Sequence, residues 1–253
     1  MKTMRNLKTL LAVLLFAPAL ALASEAVHLD PAPDVSGDKA ALQNGARLFV
    51  NYCLSCHGAS ALRYNRLLEL GLTEQQVIDN LMFTTDKIGD RMTVAMRPAD
   101  AKKWFGVVPP DLSIIARARA SADGSGADWL YTYLRSFYRD ENRPTGWNNA
   151  IFSNVGMPHI LFNLQGEQVL ETRKVQQDGK EVEAHKLALT PGTGALTPAE
   201  YDKQVADLVG FMVWMSDPEA GFRKRLGVGV LIFLAVLFVF AYALKKEFWK
   251  DVH

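Results

Sequence analysis

The 253-residue chain has little cysteine: Cys53 and Cys56, separated by two residues, are its only two, and there are five histidines. A bridge between these cysteines would close a very small loop and constrain the unfolded chain little, so a stabilising disulfide is not their purpose. A tetrahedral zinc site needs four ligands, and the histidines supply no second pair at ligand spacing. Two common roles for a cysteine pair are therefore disfavoured at the outset.

Acidic residues are absent from the first 23 positions. Lys2, Arg5 and Lys8 precede an apolar run that closes with Ala-Leu-Ala at Ala23, which is the order of a secretory signal peptide. The sequence therefore predicts a signal peptide over residues 1–23 and an exported mature chain. The alternative is an uncleaved anchor helix.

Charged residues are absent from the 19 positions of Leu226–Leu244. At about 1.5 Å per residue, a helix of this length nearly spans a hydrocarbon core of roughly 30 Å. Basic residues flank both ends, so loop charge alone does not orient the segment. The predicted signal peptide orients it, because it directs the preceding part of the chain to the outside. The sequence predicts a single-pass anchor over 223–245, an exported domain over 24–222 and a cytoplasmic tail over 246–253; a buried soluble-core helix is the alternative.

The near-neutral charge of the whole chain, +1, hides an acidic exported part. Residues 24–222 contain 19 basic and 25 acidic side chains, a net charge of −6. This charge argues against binding of nucleic acid and favours rapid encounters with a basic partner, although an ordinary soluble surface explains it equally well.

Apolar spacing predicts mainly helices between these two ends. A helix from Asp38 leads straight into the cysteines, and Gly45 within it indicates close approach of another backbone. Thr197 opens a capping box for a helix through about Met215, and Asp178-Gly179 is typical of the turn of a β-hairpin over 167–188. Further helices are predicted over 62–70, 73–83, from about 111 to 120 and over 129–138, and a long loop over 141–160, rich in Asn, Gly and Pro, is typical of a functional segment.

The histidine that follows the cysteines, in Cys53-Leu-Ser-Cys56-His57, favours a haem site. A thioredoxin-like dithiol normally follows a strand and opens a helix, whereas this pair ends a predicted helix. The C-x-x-C-H pattern is typical of covalent c-type haem, in which both thiols form thioethers with the haem vinyl groups and the histidine binds the iron. The sequence thus predicts one haem c attached through Cys53 and Cys56, with His57 as the proximal ligand.

A second axial ligand is expected to be methionine or histidine. Met157 is favoured because it lies in Val155-Gly-Met-Pro158, where glycine and proline allow a backbone to approach the haem face. Met92, Met96 and His159 stay open as alternatives. A thioether ligand would favour the reduced state and raise the redox potential.

Several segments together resemble the cytochrome c1 family, the haem subunits of ubiquinol–cytochrome c reductase, in a bacterial form. The resemblance covers nearly the whole mature chain and is strongest in the proline–aspartate segment and the C-terminal anchor. The segments that carry it are GARLF leading into CLSCH, LRYNRL (62–67), PPDLSIIARAR (109–119), RPTGWNN (143–149), GMP (156–158), LTPAEYD (196–202) and FRKRLG before the anchor.

This resemblance implies a mostly α fold: a class I cytochrome c-like haem domain with a small β-hairpin insertion and one C-terminal transmembrane helix. It implies haem thioethers at Cys53 and Cys56 and axial ligands at His57 and Met157. It also places Pro109, Pro110 and Asp111 against the haem, and Arg119 near a haem propionate.

The function implied by the resemblance is one-electron transfer from a Rieske-type iron–sulfur protein to a soluble or membrane-bound cytochrome c, with no bond chemistry by this chain itself. The implied partners are cytochrome b, the Rieske subunit and membrane lipid, and the implied location is the periplasmic side of a bacterial inner membrane. Alternatives are another anchored monohaem cytochrome, a haem peroxidase with an open iron position, and a structural subunit with a vestigial haem site.

Overall fold

The computed structural model describes residues 28–94, 96–177 and 180–251. The predicted signal peptide and its cleavage point lie outside these residues. Within them the chain is mostly helical, with three two-stranded sheets and one long apolar helix near the C-terminus. This confirms the predicted fold class.

The first helix, α1 (Lys39–Leu48), delivers the cysteine motif. Asp38 caps it, since its carboxylate accepts the backbone N–H groups of Ala40 and Ala41 at 2.9 and 3.1 Å. The helix then widens into a π-helical turn over Phe49–Cys53. The predicted helix is therefore confirmed, and the widening is a feature that apolar spacing does not reveal.

Helix α1 crosses the last helix before the apolar C-terminal helix at Gly45. A Cβ atom added to Gly45 would lie 2.1 Å from the Asp207 carbonyl oxygen, closer than any van der Waals contact allows. Phe49 and Phe211 pack one turn further along, with ring centroids 5.6 Å apart. The expected close approach at Gly45 is confirmed, and the neighbouring backbone belongs to the helix Pro198–Ser216.

The segment after the cysteine motif forms short elements. They are β1 (Ala59–Arg63), a 3-10 helix (Tyr64–Leu70), α2 (Glu74–Leu81), β2 (Arg91–Met92) and α3 (Pro98–Phe105). Strand β1 pairs antiparallel with β2. The helix predicted over 62–70 therefore starts at Tyr64 instead of Leu62. Gly71 separates the 3-10 helix from α2 in a left-handed conformation, with φ 89°.

The middle of the domain differs from the prediction in two places. The helix expected near Asp111 is only α4 (Ile115–Ala118), so the predicted start is wrong: the Asp111 carboxylate accepts backbone N–H groups of Ser60 and Ser113 instead of capping a helix. Helix α5 (Gly126–Arg135) begins before the predicted Trp129 because Ser125 and Asp128 form a capping box.

The remaining elements follow α5 in order. Short strands β3 (Phe137–Arg139) and β4 (Trp147–Asn149) pair antiparallel. After α6 (Phe162–Gln165) come β5 (Gln168–Gln177) and β6 (Lys180–Leu189), which pair antiparallel in full register. The predicted hairpin is confirmed, while its turn at 178–179 lies outside the described residues. The capped helix predicted from Thr197 is α7 (Pro198–Ser216).

Arg135 joins three parts of the domain. Its guanidinium pairs with Asp202 of α7 at 2.6 Å and with Asp30 of the N-terminal arm at 2.8 Å, and it lies over the Tyr131 ring at 4.4 Å. Burial acts to lower the pKa of Arg135, but the contacts with Asp202, Tyr131 and Asp30 outweigh this and raise it. The arm is thereby held against α5 and α7.

Helix α8 (Ala220–Phe248) is the one helix in the described part of the chain that is long and apolar enough to cross a membrane. Its side chains are exposed along its whole length. Two ion pairs tie its start to the preceding part of the chain: Arg223 with Asp217 at 2.5 Å and Arg66 with Glu219 at 2.9 Å. The apolar helix predicted at the C-terminus is confirmed.

We expect Gly45→Ala to destabilise the protein. Overpacking a close helix contact costs about 1–3 kcal/mol, which exceeds the gain of about 1 kcal/mol in helix propensity. The free energy of unfolding, measured by denaturant titration of the detergent-solubilised protein, should fall accordingly. Gly37→Ala is the matched control, since a Cβ atom there meets nothing within 4 Å; equal stability of the two variants would contradict the close-contact explanation.

Candidate haem site

The cysteine motif forms a tight turn at the end of the π-helical segment. The Cys53 carbonyl accepts the backbone N–H groups of Cys56 at 3.1 Å and His57 at 2.8 Å. Cys53 is buried, Cys56 is partly exposed, and both are free thiols. The turn therefore presents two thiols and an imidazole from five consecutive residues.

The setting of these thiols disfavours dithiol redox chemistry. Burial, with a smaller contribution from Cys56, raises the pKa of Cys53 to about 12, whereas a reactive cysteine needs a lowered pKa. The motif also ends a helix instead of opening one. No group of three or more His, Cys, Asp or Glu side chains able to hold a metal ion occurs in the described residues, so zinc is disfavoured as well.

The His57 ring is held by the carbonyl of Pro110. His57 Nδ1 lies 2.7 Å from the Pro110 oxygen, and because a carbonyl only accepts, Nδ1 must carry the proton. Burial lowers the pKa of His57, although the Pro110 contact and the charge of Asp111 oppose this. The imidazole is therefore neutral at pH 7, and the lone pair of Nε2 is available as a metal ligand.

Asp111 fixes the proline segment to the backbone after the motif. Its carboxylate accepts the N–H groups of Ser60 and Ser113, each at 2.8 Å, and Leu112 N donates to the Gly58 carbonyl at 2.8 Å. Burial acts to raise the pKa of Asp111, but these hydrogen bonds outweigh it and lower the pKa below its ordinary value. The Pro110 carbonyl is thus held in place beside His57.

Met157 lies in the irregular segment between β4 and α6, and its sulfur has a hydrogen-bond donor. The Tyr133 hydroxyl lies 3.5 Å from Met157 Sδ. The Tyr133 ring stacks on Trp129 with centroids 4.7 Å apart and meets Phe137 and Phe152 edge-on. Burial raises the pKa of Tyr133 well above its ordinary value. The hydroxyl is therefore protonated, and three aromatic contacts fix its direction.

The His57 and Met157 sides of the site meet at the proline segment. A Cβ atom on Gly156 would lie 3.4 Å from Val107 Cγ1, so Gly156 and Val107 are in close contact. Since Pro110 contacts His57, the single segment 107–111 contacts both the imidazole and the chain that carries Met157. The segment 107–111 therefore lies next to both the His57 ring and the Gly156 backbone.

The structure separates the other candidate ligands. Met92 is fully buried in β2, and His159 is buried with its ring stacked on Phe137 at 4.9 Å and edge-on to Trp147 at 5.0 Å. Met96 differs, because it lines a cavity of about 220 Å³ beside Cys56. Met96 and Met157 therefore stay open as ligands: Met96 lies beside Cys56, and within the described residues Met157 is the candidate whose sulfur has a hydrogen-bond donor.

Arg119 lies on the Met157 side of the site. Its guanidinium stacks over Trp129 at 4.3 Å and lies 5.3 Å from the Phe152 ring centroid. Within the described ranges it forms no ion pair with a carboxylate. The guanidinium is therefore free to bind an anionic group of a ligand.

These residues fit a covalent haem c. The donor set consists of two free thiols, a neutral imidazole with Nε2 available, a thioether and an unpaired guanidinium. Val107, Val108 and Phe152 expose 52, 43 and 43% of their surface at this site, which is the apolar wall that a planar macrocycle needs.

The sequence alone did not reveal Tyr133 as part of the site. The segment is predicted as a helix, and Trp129 and Tyr133 are four positions apart on one face of it. This spacing was the available indication that the two rings stack. The contact with Met157 joins residues 24 positions apart across the loop, so it depends on tertiary structure.

The sequence of this chain is similar to one protein family and to several known proteins. The model of the Cytochrome C1 family matches residues 33–252. The chain is 49% identical over 251 residues to the "Ammonia monooxygenase gamma subunit" of Nitrosomonas europaea, covering 99% of this chain and all of that protein. It is 46% identical over 242 residues to "Cytochrome c1" of Allochromatium vinosum, covering 95 and 96% of the two chains. "Cytochrome c1" of Rhodospirillum rubrum is 27% identical over 247 residues, covering 85 and 83%.

Proposed function

The chain belongs to the cytochrome c1 family, the haem subunit of the bc1 complex in electron transport, and from this premise we propose that it carries single electrons from a Rieske-type iron–sulfur protein to a cytochrome c. Covalently bound haem c is implied by the family. When bound, this group supplies a one-electron iron couple.

The observation that carries the proposal is the His57–Pro110 hydrogen bond directly after two free thiols. It fixes the tautomer that leaves Nε2 as a ligand, in the way that ligating histidines are commonly oriented by a second hydrogen bond. In this proposal Cys53 and Cys56 attach one haem through thioethers and His57 is the proximal ligand. The Pro110 carbonyl keeps the imidazole neutral and correctly turned.

Met157 is the second axial ligand in this proposal. Its sulfur has two lone pairs, so it can accept the Tyr133 hydroxyl on one and bind iron with the other. Arg119, which has no carboxylate partner in the described part of the chain, binds a haem propionate. A soft thioether opposite a histidine raises the potential into the range that suits an acceptor late in an electron chain.

The proposed organisation follows the predicted segments. Residues 1–23 direct export, 24–222 form the haem domain on the periplasmic side of the bacterial inner membrane, 223–245 within α8 cross it once, and 246–253 form a short cytoplasmic tail. Lipid contacts the exposed apolar side chains of α8. The ion pairs at its start hold the haem domain next to the membrane.

The proposed partners are cytochrome b, the Rieske subunit and a soluble or membrane-bound cytochrome c. The net charge of −6 over 24–222 supports fast association with a basic acceptor. The Nitrosomonas relative is named for a subunit of a monooxygenase, and an anchored electron carrier fits either assembly. The family match over 33–252 and the Allochromatium relative favour the bc1 complex.

We expect Met157→Leu to remove the sulfur-to-iron charge-transfer absorption of the oxidised protein and to lower its midpoint potential, because leucine offers no donor atom. The pyridine haemochrome spectrum should still show a c-type haem, since both cysteines are intact. Optical redox titration of the purified protein measures both properties. Met96→Leu is the matched control and should retain the absorption; the reverse pattern would assign the ligand to Met96.

We expect Tyr133→Phe to lower the midpoint potential while leaving the charge-transfer absorption in place. The hydroxyl withdraws electron density from Met157 Sδ, which weakens the sulfur as a donor to ferric iron, so its loss favours the oxidised state. Tyr131→Phe is the matched control on the same helix, because the Tyr131 ring lies under Arg135 instead. An equal shift in the two variants would show that the Met157 contact is not the cause.

We expect the chain to copurify with cytochrome b and Rieske subunits after mild detergent solubilisation of membranes. Identification of the bound subunits by mass spectrometry and assay of quinol–cytochrome c reductase activity provide the measurement. Copurification with monooxygenase subunits, without reductase activity, would instead place the chain in the assembly for which the Nitrosomonas relative is named.

A further inference from the structure

The segment that carries Met157 is held by side chains instead of by a helix or strand. Asn149 Nδ2 donates to the Tyr133 carbonyl at 2.8 Å, and Asn149 Oδ1 accepts the N–H groups of Ile151 and Phe152 at 3.1 and 3.2 Å. Asn149 is itself almost completely buried. The first half of the segment is thereby tied to helix α5.

The second half of the segment, next to Met157, is held by Arg143. One guanidinium nitrogen donates to Asn154 Oδ1 at 3.1 Å, and the other donates to the Asn154 carbonyl at 2.9 Å and, more weakly, to the Val155 carbonyl at 3.5 Å. These acceptors belong to the residues three and two positions before Met157. The Arg143 side chain therefore holds the backbone immediately before Met157.

Asn154 is also the point at which the backbone turns. Its φ is 61°, the one left-handed non-glycine residue in the described part of the chain. Asparagine tolerates this conformation better than most residues but still needs support from its surroundings. Asn148 Oδ1 accepts the Asn154 N–H at 2.8 Å, so Asn148 and Arg143 hold the turn from its two ends.

Arg143 reaches this turn from a fixed base. It lies in the connection between β3 and β4, where Arg143 N donates to the Asp140 carbonyl at 3.1 Å and Gly146 N donates to the Arg143 carbonyl at 2.9 Å. Asp140 N closes the same connection by donating to the Gly146 carbonyl at 3.1 Å. The guanidinium thus bridges an ordered hairpin connection and the Met157 segment.

We propose that Arg143 is a positioning residue for Met157. By holding the segment before the methionine, Arg143 keeps the thioether where it competes successfully with other ligands for ferric iron. The proposal rests on the proposed function, because it takes Met157 as the axial ligand. Arg143 acts through Asn154 and Val155, to which its guanidinium donates hydrogen bonds. Its loss should leave the ligand in place but make it easier to displace.

The test is imidazole binding to the oxidised, haem-loaded, full-length protein. Imidazole binds only when Met157 leaves the iron, so its dissociation constant reports how firmly the segment holds the methionine. We expect Arg143→Gln to tighten imidazole binding by about tenfold or more, since hydrogen bonds from a charged group are lost. The pH at which the charge-transfer absorption disappears should fall in parallel.

Arg47→Gln is the matched control. Arg47 also donates from its guanidinium to an asparagine side chain, Asn44 Oδ1, at 2.7 and 3.2 Å, but on the exposed face of α1. It should bind imidazole as the unmodified protein does. If Arg143→Gln and Arg47→Gln bind imidazole equally, or if Arg143→Gln changes only the unfolding temperature, the proposal is wrong.

Two further variants separate the possible causes of a negative result. Arg143→Lys keeps the charge but presents a single ammonium group, so it should bind imidazole with intermediate affinity and replaces Arg143→Gln if that variant does not accumulate with haem. Asn154→Gly keeps both carbonyl acceptors but removes the Oδ1 acceptor, so its imidazole affinity should lie between those of the unmodified protein and Arg143→Gln; an affinity tighter than that of Arg143→Gln would show that the contacts of Arg143 are not what holds the segment. Met157→Leu, measured in parallel, must lack the charge-transfer absorption; if it retains it, the ligand assignment fails, not only the role of Arg143.

Discussion

The contact between α1 and α7 at Gly45 determines where the haem motif lies. Without a side chain at Gly45, the backbone of α1 approaches the Asp207 carbonyl so closely that a Cβ atom would have no room. The π-helical turn that continues α1 ends at Cys53, with His57 four residues further on, and α7 leads through Asp217 to the apolar helix α8. One contact therefore sets the position of the cysteine motif relative to the apolar helix α8, because both the helix before the motif and the helix before α8 take part in it.

The site is assembled around a segment with no regular structure of its own. Residues 107–111 contact His57 through the Pro110 carbonyl and contact Gly156 through Val107. Proline has no N–H to donate and therefore disfavours a helix in this segment. The Pro110 carbonyl accepts the His57 Nδ1–H. The Asp111 carboxylate could otherwise have capped the start of a helix. It instead accepts the N–H groups of Ser60 and Ser113. This use of Asp111 explains both the stable position of the imidazole and the short length of α4.

Local patterns in the sequence were sufficient wherever local chemistry decides the structure. The capping box at Thr197 and the close approach at Gly45 depend on neighbours within one turn or on a missing side chain. The sequence did not predict strand pairing between Ala59 and Met92 or the start of α4, because these depend on residues tens of positions away. For the same reason it left several candidate axial ligands open. The packing of Met92 and His159 in the core disfavours both as ligands, and this packing is a property of the folded chain.

The two proposed axial ligands receive opposite electronic influences from hydrogen bonds. His57 donates a proton towards the Pro110 carbonyl, which makes the imidazole more basic and favours oxidised iron. Met157 accepts a hydrogen bond from the Tyr133 hydroxyl, which weakens the sulfur as a donor and favours reduced iron. The first partner is a backbone carbonyl, so a side-chain replacement cannot delete it without moving the proline segment. The second is a single hydroxyl on a ring locked by aromatic neighbours. It follows that the potential of this protein is adjustable mainly from the Met157 side, where one atom can be removed without disturbing the fold.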